Sequence, residues 1–390
     1  MRVLIAHNYY QQAGGEDAVV AEEYGLLSRN DIKVELFEKR NERINEMSSL
    51  AVVADTLWSR QTIDEIGHVI ERFKPDVIHT HNTFPLISPS LYHAAARKHI
   101  PVVQTLHNFR LFCVQAMFMR DGKVCEDCLG KLAWRGIVHG CYRDSRIQSA
   151  VVVGMQGLHR SLGTYQNKVT RYIALNQFCL DKFVEAGLPS GRMCIKPNFI
   201  DLPEEDNPAD AQFRSGALFV GRLSTEKGIA TLAAASSIYP HAQIDVVGNG
   251  PQHDLLQGKH HVRLHGWQTP SDIYQHMRQA SYLVMPSIWY ENFPRTLVEA
   301  FACGLPVIAS RMGAMAELIH DEFTGLLFEP GNAQDLAQKM QWADNHPEEM
   351  QRMGREARWE YEKKYTAETN LQQLLTIYED AIVANRMTTK

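Results

Sequence analysis

Two carboxylates separated by seven residues stand out in the second half of the chain, in the run Glu291-Asn292-Phe293-Pro294-Arg295-Thr296-Leu297-Val298-Glu299. Pro294 suits the first turn of a helix and Gly304 suits its C-terminal end. We therefore expect Glu291 in a loop and Glu299 one to two turns into the helix. Carboxylates accept hydrogen bonds from vicinal sugar hydroxyls, so this pair can hold two separate rings. The backbone N–H groups near Phe293 and Pro294 would favour a phosphate.

A second loop, Gly221 to Gly228, carries two cations, Arg222 and Lys227, between a predicted strand and a predicted helix. A departing phosphate ester needs fixed positive charge, which Arg and Lys supply. Solvated surface cations are the commoner explanation of an isolated pair. The position of this pair favours function, because parallel sheets bind ligands beyond the carboxyl ends of their strands.

A third loop, His7 to Asp17, contains the paired glycines Gly14 and Gly15 at a predicted helix start. Glycines there let backbone N–H groups approach an anion, aided by the helix dipole. The loop is neither a Walker A loop nor a complete dinucleotide-binding fingerprint. Taken alone, the glycines are explained equally well by a simple turn.

Four cysteines are spaced C-x11-C-x2-C-x12-C around a predicted hairpin at Asp121-Gly122, and they are Cys113, Cys125, Cys128 and Cys141. Four thiols with a central C-x2-C can hold a structural zinc ion tetrahedrally. The outer two are single cysteines and not a second C-x2-C pair. The alternative is a set of unliganded thiols in an inserted lobe at about residues 109–150.

A basic stretch runs from Leu129 to Arg171, with seven basic residues and one acid, Asp144, a local charge of +6. Trp134, Ile137 and Tyr142 lie among the cations. Such a stretch can dock on anionic lipid headgroups. The alternative is a solvated surface that is partly neutralised by acids elsewhere, and of the two we expect the membrane contact.

These loops require a scaffold of alternating strands and helices, and short apolar runs do alternate with amphipathic stretches along all 390 residues. The alternation predicts an α/β protein with two doubly wound parallel sheets, in two domains that face each other across a cleft. We expect an N-terminal domain at residues 1–202 and a C-terminal domain at 203–365. The irregular segment Pro203–Ser215 predicts a linker, and a last helix at 366–390 is expected to pack back on the N-terminal domain.

Composition excludes several classes of protein. The net charge of −5 carries no signature of a nucleic-acid partner. The sequence contains no run of 18 apolar residues, so no membrane span is predicted. The first residues resemble a buried strand more than a signal peptide. Seven cysteines, an odd number, favour a reducing compartment. We expect a cytoplasmic protein that is peripheral on the inner face of the cytoplasmic membrane.

The motifs together resemble family 4 of the glycosyltransferases, also known as glycosyl transferases group 1, which are retaining enzymes with the two-domain GT-B fold. The resemblance covers nearly the whole chain. Besides the Gly14-Gly15 loop, the motifs are Pro-Asn-Phe-Ile-Asp at 197–201, Val-Gly-Arg-Leu-Ser-Thr-Glu-Lys-Gly at 220–228, Gly-Asn-Gly-Pro at 248–251, E-x7-E at 291–299, and Thr-Gly-Leu-Leu-Phe-Glu-Pro-Gly at 324–331.

The resemblance implies roles for individual residues. Glu291 would bind hydroxyls of the donor sugar beside the Asn292–Pro294 backbone, and Glu299 would bind the nucleotide ribose. Arg222 and Lys227, beside Gly221, would clamp the diphosphate, which Gly15 would reach from the N-terminal domain. His107 would line the acceptor side near the reacting carbon; a helix-capping or core imidazole is its alternative.

The resemblance also implies the chemistry. The donor would be a nucleoside-diphosphate sugar, the acceptor a glycan or lipid-linked glycan, and the context bacterial surface polysaccharide or lipopolysaccharide synthesis. The chain has no Asp-x-Asp metal anchor, and no cofactor or catalytic metal is expected. In this family the departing phosphate is thought to take the acceptor's proton on the same face of the sugar.

Three other functions stay open from the sequence. A sugar-nucleotide epimerase would bind the same nucleotide, although the E-x7-E element favours a transferase. A nucleotide-cofactor oxidoreductase would need G-x-G-x-x-G/A, which Gly248-Asn249-Gly250-Pro251-Gln252-His253 meets only in part. A non-catalytic sugar-nucleotide sensor is the third.

Overall fold

A computed structural model describes residues 1–11, 14–202 and 214–388. Contacts divide the chain into two units, one of residues 1–118, 126–197 and 370–390 and one of residues 119–125 and 198–369. The unit boundaries fall at 197/198 and 369/370, and the domain boundaries inferred from the sequence, 202/203 and 365/366, remain predictions. The predicted linker lies outside the described residues, except for Arg214 and Ser215.

Strands and helices alternate along the described residues. In chain order the strands are β1 (Arg2–Tyr9), β2 (Lys33–Arg40), β3 (Val77–Thr80), β4 (Val102–Thr105), β5 (Met119–Arg120), β6 (Lys123–Val124), β7 (Arg171–Ala174), β8 (Met193–Ile195), β9 (Ala217–Val220), β10 (Ile244–Val247), β11 (Val262–Gly266), β12 (Tyr282–Met285), β13 (Val307–Ser310) and β14 (Gly325–Phe328). The α-helices are α1 (Gly15–Arg29), α2 (Ser49–Trp58), α3 (Arg60–Phe73), α4 (Ser90–Arg97), α5 (Trp134–Val138), α6 (Arg146–Ser161), α7 (Thr164–Asn167), α8 (Gln177–Glu185), α9 (Ile229–Ile238), α10 (Pro270–Gln279), α11 (Arg295–Ala302), α12 (Gly313–Leu318), α13 (Ala333–Asn345), α14 (Pro347–Lys364) and α15 (Ala367–Thr388).

The first unit is built on a six-stranded sheet in the order β2-β1-β3-β4-β7-β8, and every adjacent pair is parallel. The run Val3–Ala6 is completely buried, as expected for a parallel strand covered on both faces. Val3 and Ile5 share a core with Leu374 and Tyr378 of α15. The C-terminal helix thereby completes the hydrophobic core of this unit.

The second unit repeats the design with the order β11-β10-β9-β12-β13-β14, again parallel throughout. One core lies between the sheet and helices that include α11 and α14, around Leu297, Phe301 and Ala357. A second core on the other face includes Leu232 of α9 and Leu336 of α13. The prediction of two doubly wound α/β domains is confirmed for both units.

The remaining strands form the hairpin predicted at Asp121-Gly122, because β5 and β6 pair in antiparallel register. Both turn residues have left-handed backbone, with φ of 53° and 74°, which matches the Asp-Gly preference of tight hairpins. The sequence analysis placed no helix at α2 or α6, and the structure packs both in the first unit. None of the described helices is long and apolar enough to cross a membrane.

Candidate active site

The loop after β9 is held by contacts that only glycine permits. Gly228 has a left-handed φ of 71°, and a Cβ there would lie 1.8 Å from the carbonyl oxygen of Pro286. The backbone N–H of Ile288 donates to the carbonyl of Glu226 over 2.9 Å. These contacts press the loop that carries Lys227 against the loop that leads to Glu291.

Two predicted site residues meet at this junction. Lys227 Nζ donates a hydrogen bond to Glu291 Oε1 over 2.6 Å, and Ser287 Oγ donates to the same oxygen over 2.8 Å. Glu291 is only 5% exposed, so the ammonium compensates a nearly buried carboxylate. Lys227 Nζ also lies 5.6 Å from the ring centroid of Trp289, within cation–π range. The sequence analysis did not single out Ser287 or Trp289.

Arg222 lies one residue beyond Gly221 on the same loop and is exposed. Its guanidinium makes no hydrogen bond or ion pair with any residue that the structure describes. The backbone of Gly221 packs closely against Gly248, where a Cβ would lie 2.0 Å from the Gly221 carbonyl oxygen. This close packing holds the loop that carries Arg222. A cation at the carboxyl end of a strand, with no partner in the described part of the chain, can receive an anionic ligand.

Glu299 lies on α11, which starts after Pro294 and ends at Ala302 as the sequence predicted. Its Oε1 lies 3.8 Å from Nη2 of Arg295, one turn earlier, and its side chain is 18% exposed. Asn292 and Pro294 are buried, and Phe293 is half-buried. The structure therefore pairs Glu291 with Lys227 and Glu299 with Arg295.

In the first unit, His107 follows β4 and contacts His81, which follows β3. His107 Nε2 lies 2.9 Å from His81 Nδ1, and the two rings are nearly parallel at 16°. Burial and neighbouring imidazoles hold the pKa of both rings well below the ordinary value. Both rings are therefore neutral at neutral pH, and each carries a single N–H.

An ion pair lies behind His81. Lys196 Nζ donates to Glu23 Oε1 over 2.7 Å, and His81 Nε2 lies 3.5 Å from Glu23 Oε2. Lys196 also donates to Asn370 Oδ1 over 3.3 Å. Lys196 and Glu23 are completely inaccessible to solvent, and the sequence analysis missed these contacts because the residues are far apart along the chain.

Glu23, His79 and His81 form the group of three potential metal ligands within 4.8 Å of one another in the described part of the chain. A cation does not fit them. Both nitrogens of His79 are already hydrogen bonded, to the Tyr378 hydroxyl at 2.8 Å and to Thr105 Oγ1 at 2.7 Å. The Lys196 ammonium on Glu23 would also repel a metal ion.

The four cysteines predicted to bind zinc are divided between the two units. Cys113, Cys128 and Cys141 belong to the first unit and Cys125 to the second. The three in the first unit are not among the described groups of potential ligands within 4.8 Å. Their arrangement does not fit a preformed tetrahedral site. The zinc site remains a prediction, and no step below depends on it.

At the start of α1, Asp17 organises the glycine loop. Gly14 N–H donates to Asp17 Oδ2 over 3.0 Å, and Asp17 Oδ1 lies 2.7 Å from His7 Nε2. Gln12 and Ala13 of the predicted loop lie outside the described residues. Because the Gly14 N–H is occupied, Gly15 in the first turn of the helix is the better placed of the two for an anion.

Glu16 is a site candidate that the sequence analysis did not identify. Its Oε2 accepts hydrogen bonds from the Tyr10 hydroxyl at 3.1 Å and from Asn108 Nδ2 at 3.2 Å. Burial raises the pKa of its carboxyl group to about 6. Asn108 directly follows His107, so a carboxyl group of raised pKa lies beside the predicted acceptor-side residue.

Two family models of glycosyltransferases match the chain. The family model described as Glycosyltransferase Family 4 matches residues 8–204, half of the chain, and the model described as Glycosyl transferases group 1 matches residues 212–359. Among the curated relatives, an uncharacterized glycosyltransferase MJ1178 of Methanocaldococcus jannaschii is 28% identical over 52% of this chain and 58% of its own. The sulfoquinovosyl transferase SQD2 of Arabidopsis thaliana is 31% identical over 37% of this chain and 30% of its own. The chain thus spans less than two thirds of the length of either relative.

Solved structures resemble the whole chain. Sucrose-phosphate synthase from Thermosynechococcus elongatus has a TM-score of 0.72 at 18% identity, over 98% of this chain and 99% of its own. HepE of Anabaena in complex with UDP has a TM-score of 0.67 at 18% identity, over 97% of this chain and 100% of its own. The lipopolysaccharide outer core galactosyltransferase WaaB has a TM-score of 0.63 at 15% identity, over 100% of this chain and 100% of its own. At these identities the likeness shows the fold alone.

Two parallel-sheet Rossmann-like units and these matches define the GT-B fold. The chain belongs to glycosyltransferase family 4. The resemblance inferred from the motifs is thereby confirmed, and the roles of individual residues remain proposals.

Proposed function

We propose that the protein moves a sugar from a nucleoside-diphosphate sugar to a glycan or lipid-linked acceptor, with retention at the anomeric carbon and without a catalytic metal. The observation that carries this proposal is the Lys227–Glu291 hydrogen bond of 2.6 Å. Lys227 shares its strand-to-helix loop with Arg222, whose guanidinium has no hydrogen-bond or ion-pair partner among the described residues. Positive charge for a diphosphate and a carboxylate for sugar hydroxyls are thus combined in one unit.

The roles are assigned as follows. Arg222 and Lys227 bind the diphosphate beside Gly221, and Glu291 accepts hydrogen bonds from donor-sugar hydroxyls. The backbone of Asn292, Phe293 and Pro294 flanks that sugar, Glu299 holds the ribose, and Gly14 and Gly15 are retained as diphosphate contacts by family resemblance. His107 lines the acceptor side.

The reaction breaks the bond between the anomeric carbon and the diphosphate oxygen. Negative charge accumulates on the departing diphosphate, and Arg222 and Lys227 neutralise it where a metal ion would otherwise act. The acceptor hydroxyl oxygen bonds to the anomeric carbon on the face that the diphosphate leaves, and its proton passes to a departing phosphate oxygen. The last step is adopted from the family resemblance.

The relatives' names support the proposed biological context. Relatives include a putative teichuronic acid biosynthesis glycosyltransferase, TuaC, of Bacillus subtilis and a 42.6 kDa protein of the cps region of Klebsiella pneumoniae, 23% identical over 70% of this chain. We place the protein in bacterial surface polysaccharide or lipopolysaccharide synthesis. HepE was solved with UDP and with UDP-glucose, so uridine sugar nucleotides are the first donors to test.

We also propose a peripheral membrane contact, in the cytoplasm, through residues 129–171. Trp134 and Ile147 are 55% and 80% exposed. Exposed cations lie near them in the sequence, among which are Lys131, Arg135, Arg143 and Arg146. Exposed apolar side chains within a basic surface suit the interface of an anionic bilayer.

Vesicle sedimentation tests the contact. Binding to phosphatidylglycerol vesicles should exceed binding to phosphatidylcholine vesicles, and Trp134→Ser with Ile147→Ser should weaken it. Leu255→Ser, at an exposed leucine of the second unit, is the matched control. Equal binding to both lipids, or binding that survives the paired substitution, would rule the contact out.

Incubation with a panel of sugar nucleotides tests the catalytic proposal. A bound donor should raise Tm by mass action, and turnover with an acceptor pool should release a nucleoside diphosphate and a glycoside of retained configuration. An inverted product would refute retention. An epimerised free sugar, or binding without release of nucleotide under all conditions, would refute transfer.

A further inference from the structure

A line of buried polar side chains leads to His107 within the first unit. It runs from Lys196 to Glu23 at 2.7 Å, from Glu23 to His81 at 3.5 Å, and from His81 to His107 at 2.9 Å. Lys196, Glu23 and His81 are buried. A buried ion pair is costly to desolvate, and this one is connected through His81 to a predicted site residue, His107.

The chain of contacts determines where each proton lies. Glu23, paired with the Lys196 ammonium, is a carboxylate and can only accept hydrogen bonds. Glu23 Oε2 and His81 Nε2 lie 3.5 Å apart, and neither atom has a hydrogen-bond partner among the described residues. A protonated Nε2 would be attracted to the carboxylate, whereas an unprotonated Nε2 would place its lone pair against the negative oxygen. Since a neutral imidazole carries one N–H, that proton belongs on His81 Nε2.

The second ring follows from the first. With its proton on Nε2, His81 presents an unprotonated Nδ1, which can only accept. His107 must therefore donate from Nε2 to His81 Nδ1, and its own Nδ1 is left without a proton. His107 Nδ1 makes no hydrogen bond with any described residue, and the ring is only partly buried.

We propose that Lys196, Glu23 and His81 are positioning residues that lock His107 in the Nε2–H tautomer, so that Nδ1 accepts a hydrogen bond from a substrate hydroxyl. The assignment of that hydroxyl to a sugar substrate rests on the proposed function. At this position the site selects a free hydroxyl group, because an ether oxygen or an alkyl group cannot donate to Nδ1.

Nitrogen NMR of the unliganded protein tests the tautomer without any substrate. The protein is labelled with ¹⁵N-histidine, and the His107 signals are identified by their loss in His107→Gln. We expect the Nδ1 shift of an unprotonated nitrogen and the Nε2 shift of a protonated one. A proton on Nδ1 would overturn the proposal, whatever reaction the protein catalyses.

Substitutions at His81 separate positioning from packing. His81→Asn keeps an acceptor near the position of Nδ1, whereas His81→Leu removes it. We expect His81→Leu to release the tautomer and to lower kcat about 10- to 100-fold, the usual effect of losing an orienting partner. His81→Asn should retain the tautomer and recover most of kcat, with KM for the donor little changed in either variant.

The matched control is His93→Leu, at a half-buried histidine of the same unit that hydrogen bonds Thr164 Oγ1 at 2.9 Å. It should leave both the His107 tautomer and kcat unchanged. An unaltered tautomer in His81→Leu, or equal loss in His81→Asn and His81→Leu, would refute the positioning role. If His81→Leu does not fold, the tautomer of His107 in the unsubstituted protein and in His81→Asn tests the positioning role instead. Absence of transfer by the unsubstituted protein would refute only the proposed function.

Discussion

Lys227 Nζ lies 2.6 Å from Glu291 Oε1, although the two residues are 64 positions apart in the chain. The contact joins the loop after β9 to the segment before α11. It provides a buried carboxylate with a counter-charge before any ligand arrives. When a donor binds, the diphosphate and the sugar hydroxyls would be recognised by groups that are already mutually oriented, which reduces the entropy lost on binding.

The first prediction concerns the stability of this pair. Lys227→Met leaves the nearly buried Glu291 with Ser287 as its one hydrogen-bond donor among the described residues, so the free energy of unfolding should fall by about 1–3 kcal/mol. The double variant Lys227→Met/Glu291→Gln should lose less than the sum of the two single variants, as measured by denaturant unfolding. Arg311→Met, which breaks the more exposed pair of Arg311 with Asp321, should cost less than about 1 kcal/mol. Additive losses in the double variant would show that the pair is not coupled.

The second prediction concerns Glu299. If its carboxylate holds the ribose, Glu299→Ala should weaken binding of the free nucleoside diphosphate by about 1–3 kcal/mol, because two hydroxyls lose their acceptor. Glu299→Gln should lose less, since it keeps one acceptor oxygen. Calorimetric titration measures both, with Glu356→Ala on α14 as the control. Unchanged affinity in Glu299→Ala would remove the role.

The third prediction is a pH dependence that arises from Glu16. Burial raises the pKa of this carboxyl group from its ordinary 4.5 to about 6, so the folded protein holds the proton more tightly than the unfolded chain. The raised pKa therefore stabilises the folded protein fully below pH 4.5, and this stabilisation is lost as the pH rises through 6.

Replacing Glu16 by Gln removes that loss. The free energy of unfolding of Glu16→Gln relative to the unsubstituted protein should therefore increase by about 1–2 kcal/mol between pH 4.5 and pH 7. Glu42→Gln, at an exposed position of the same unit, is the control. A difference that stays constant or decreases over this range would contradict the assignment.

The fourth prediction concerns metal ions. Because Arg222 and Lys227 supply the positive charge, turnover should survive excess chelator. The measurement is nucleotide release before and after treatment with EDTA, with circular dichroism to check the fold. Activity that disappears with chelator and returns with magnesium or manganese would refute metal independence. Metal analysis of the same sample tests whether the four cysteines of the predicted zinc site bind a metal ion.

Much of the scaffold could be predicted because local patterns specify it. The run Val-Leu-Ile-Ala at 3–6 predicts a buried strand, and Pro294 with Gly304 correctly predicts the ends of α11. Helix α6 was not predicted, although the largely apolar run at 150–158 lies within it, because the inference from this stretch was based on its basic charge. The local pattern there was sufficient, and the interpretation was incomplete.

Contacts between distant segments could not be predicted. The position of Lys227 next to Glu291 depends on the approach of Gly228 to Pro286, which no local pattern encodes. In the same way, the sequence places His81 at the end of a strand and indicates no more. Its contact with His107 arises because β3 and β4 are neighbours in the sheet. Motifs identified the residues that end each strand, and the sheet order determined which of them meet.

The central claim is that Arg222 and Lys227 stabilise the departing diphosphate, and steady-state kinetics of Arg222→Ala tests it most directly. This guanidinium has no partner among the described residues, so its removal leaves no protein group unpaired. The interaction should strengthen in the transition state, so kcat should fall about 100- to 1000-fold while KM for the donor changes far less. Arg263→Ala, at an exposed arginine on β11, should behave like the unsubstituted protein. A folded Arg222→Ala/Lys227→Ala double variant with nearly normal kcat would contradict the account, because the leaving group would then be stabilised elsewhere.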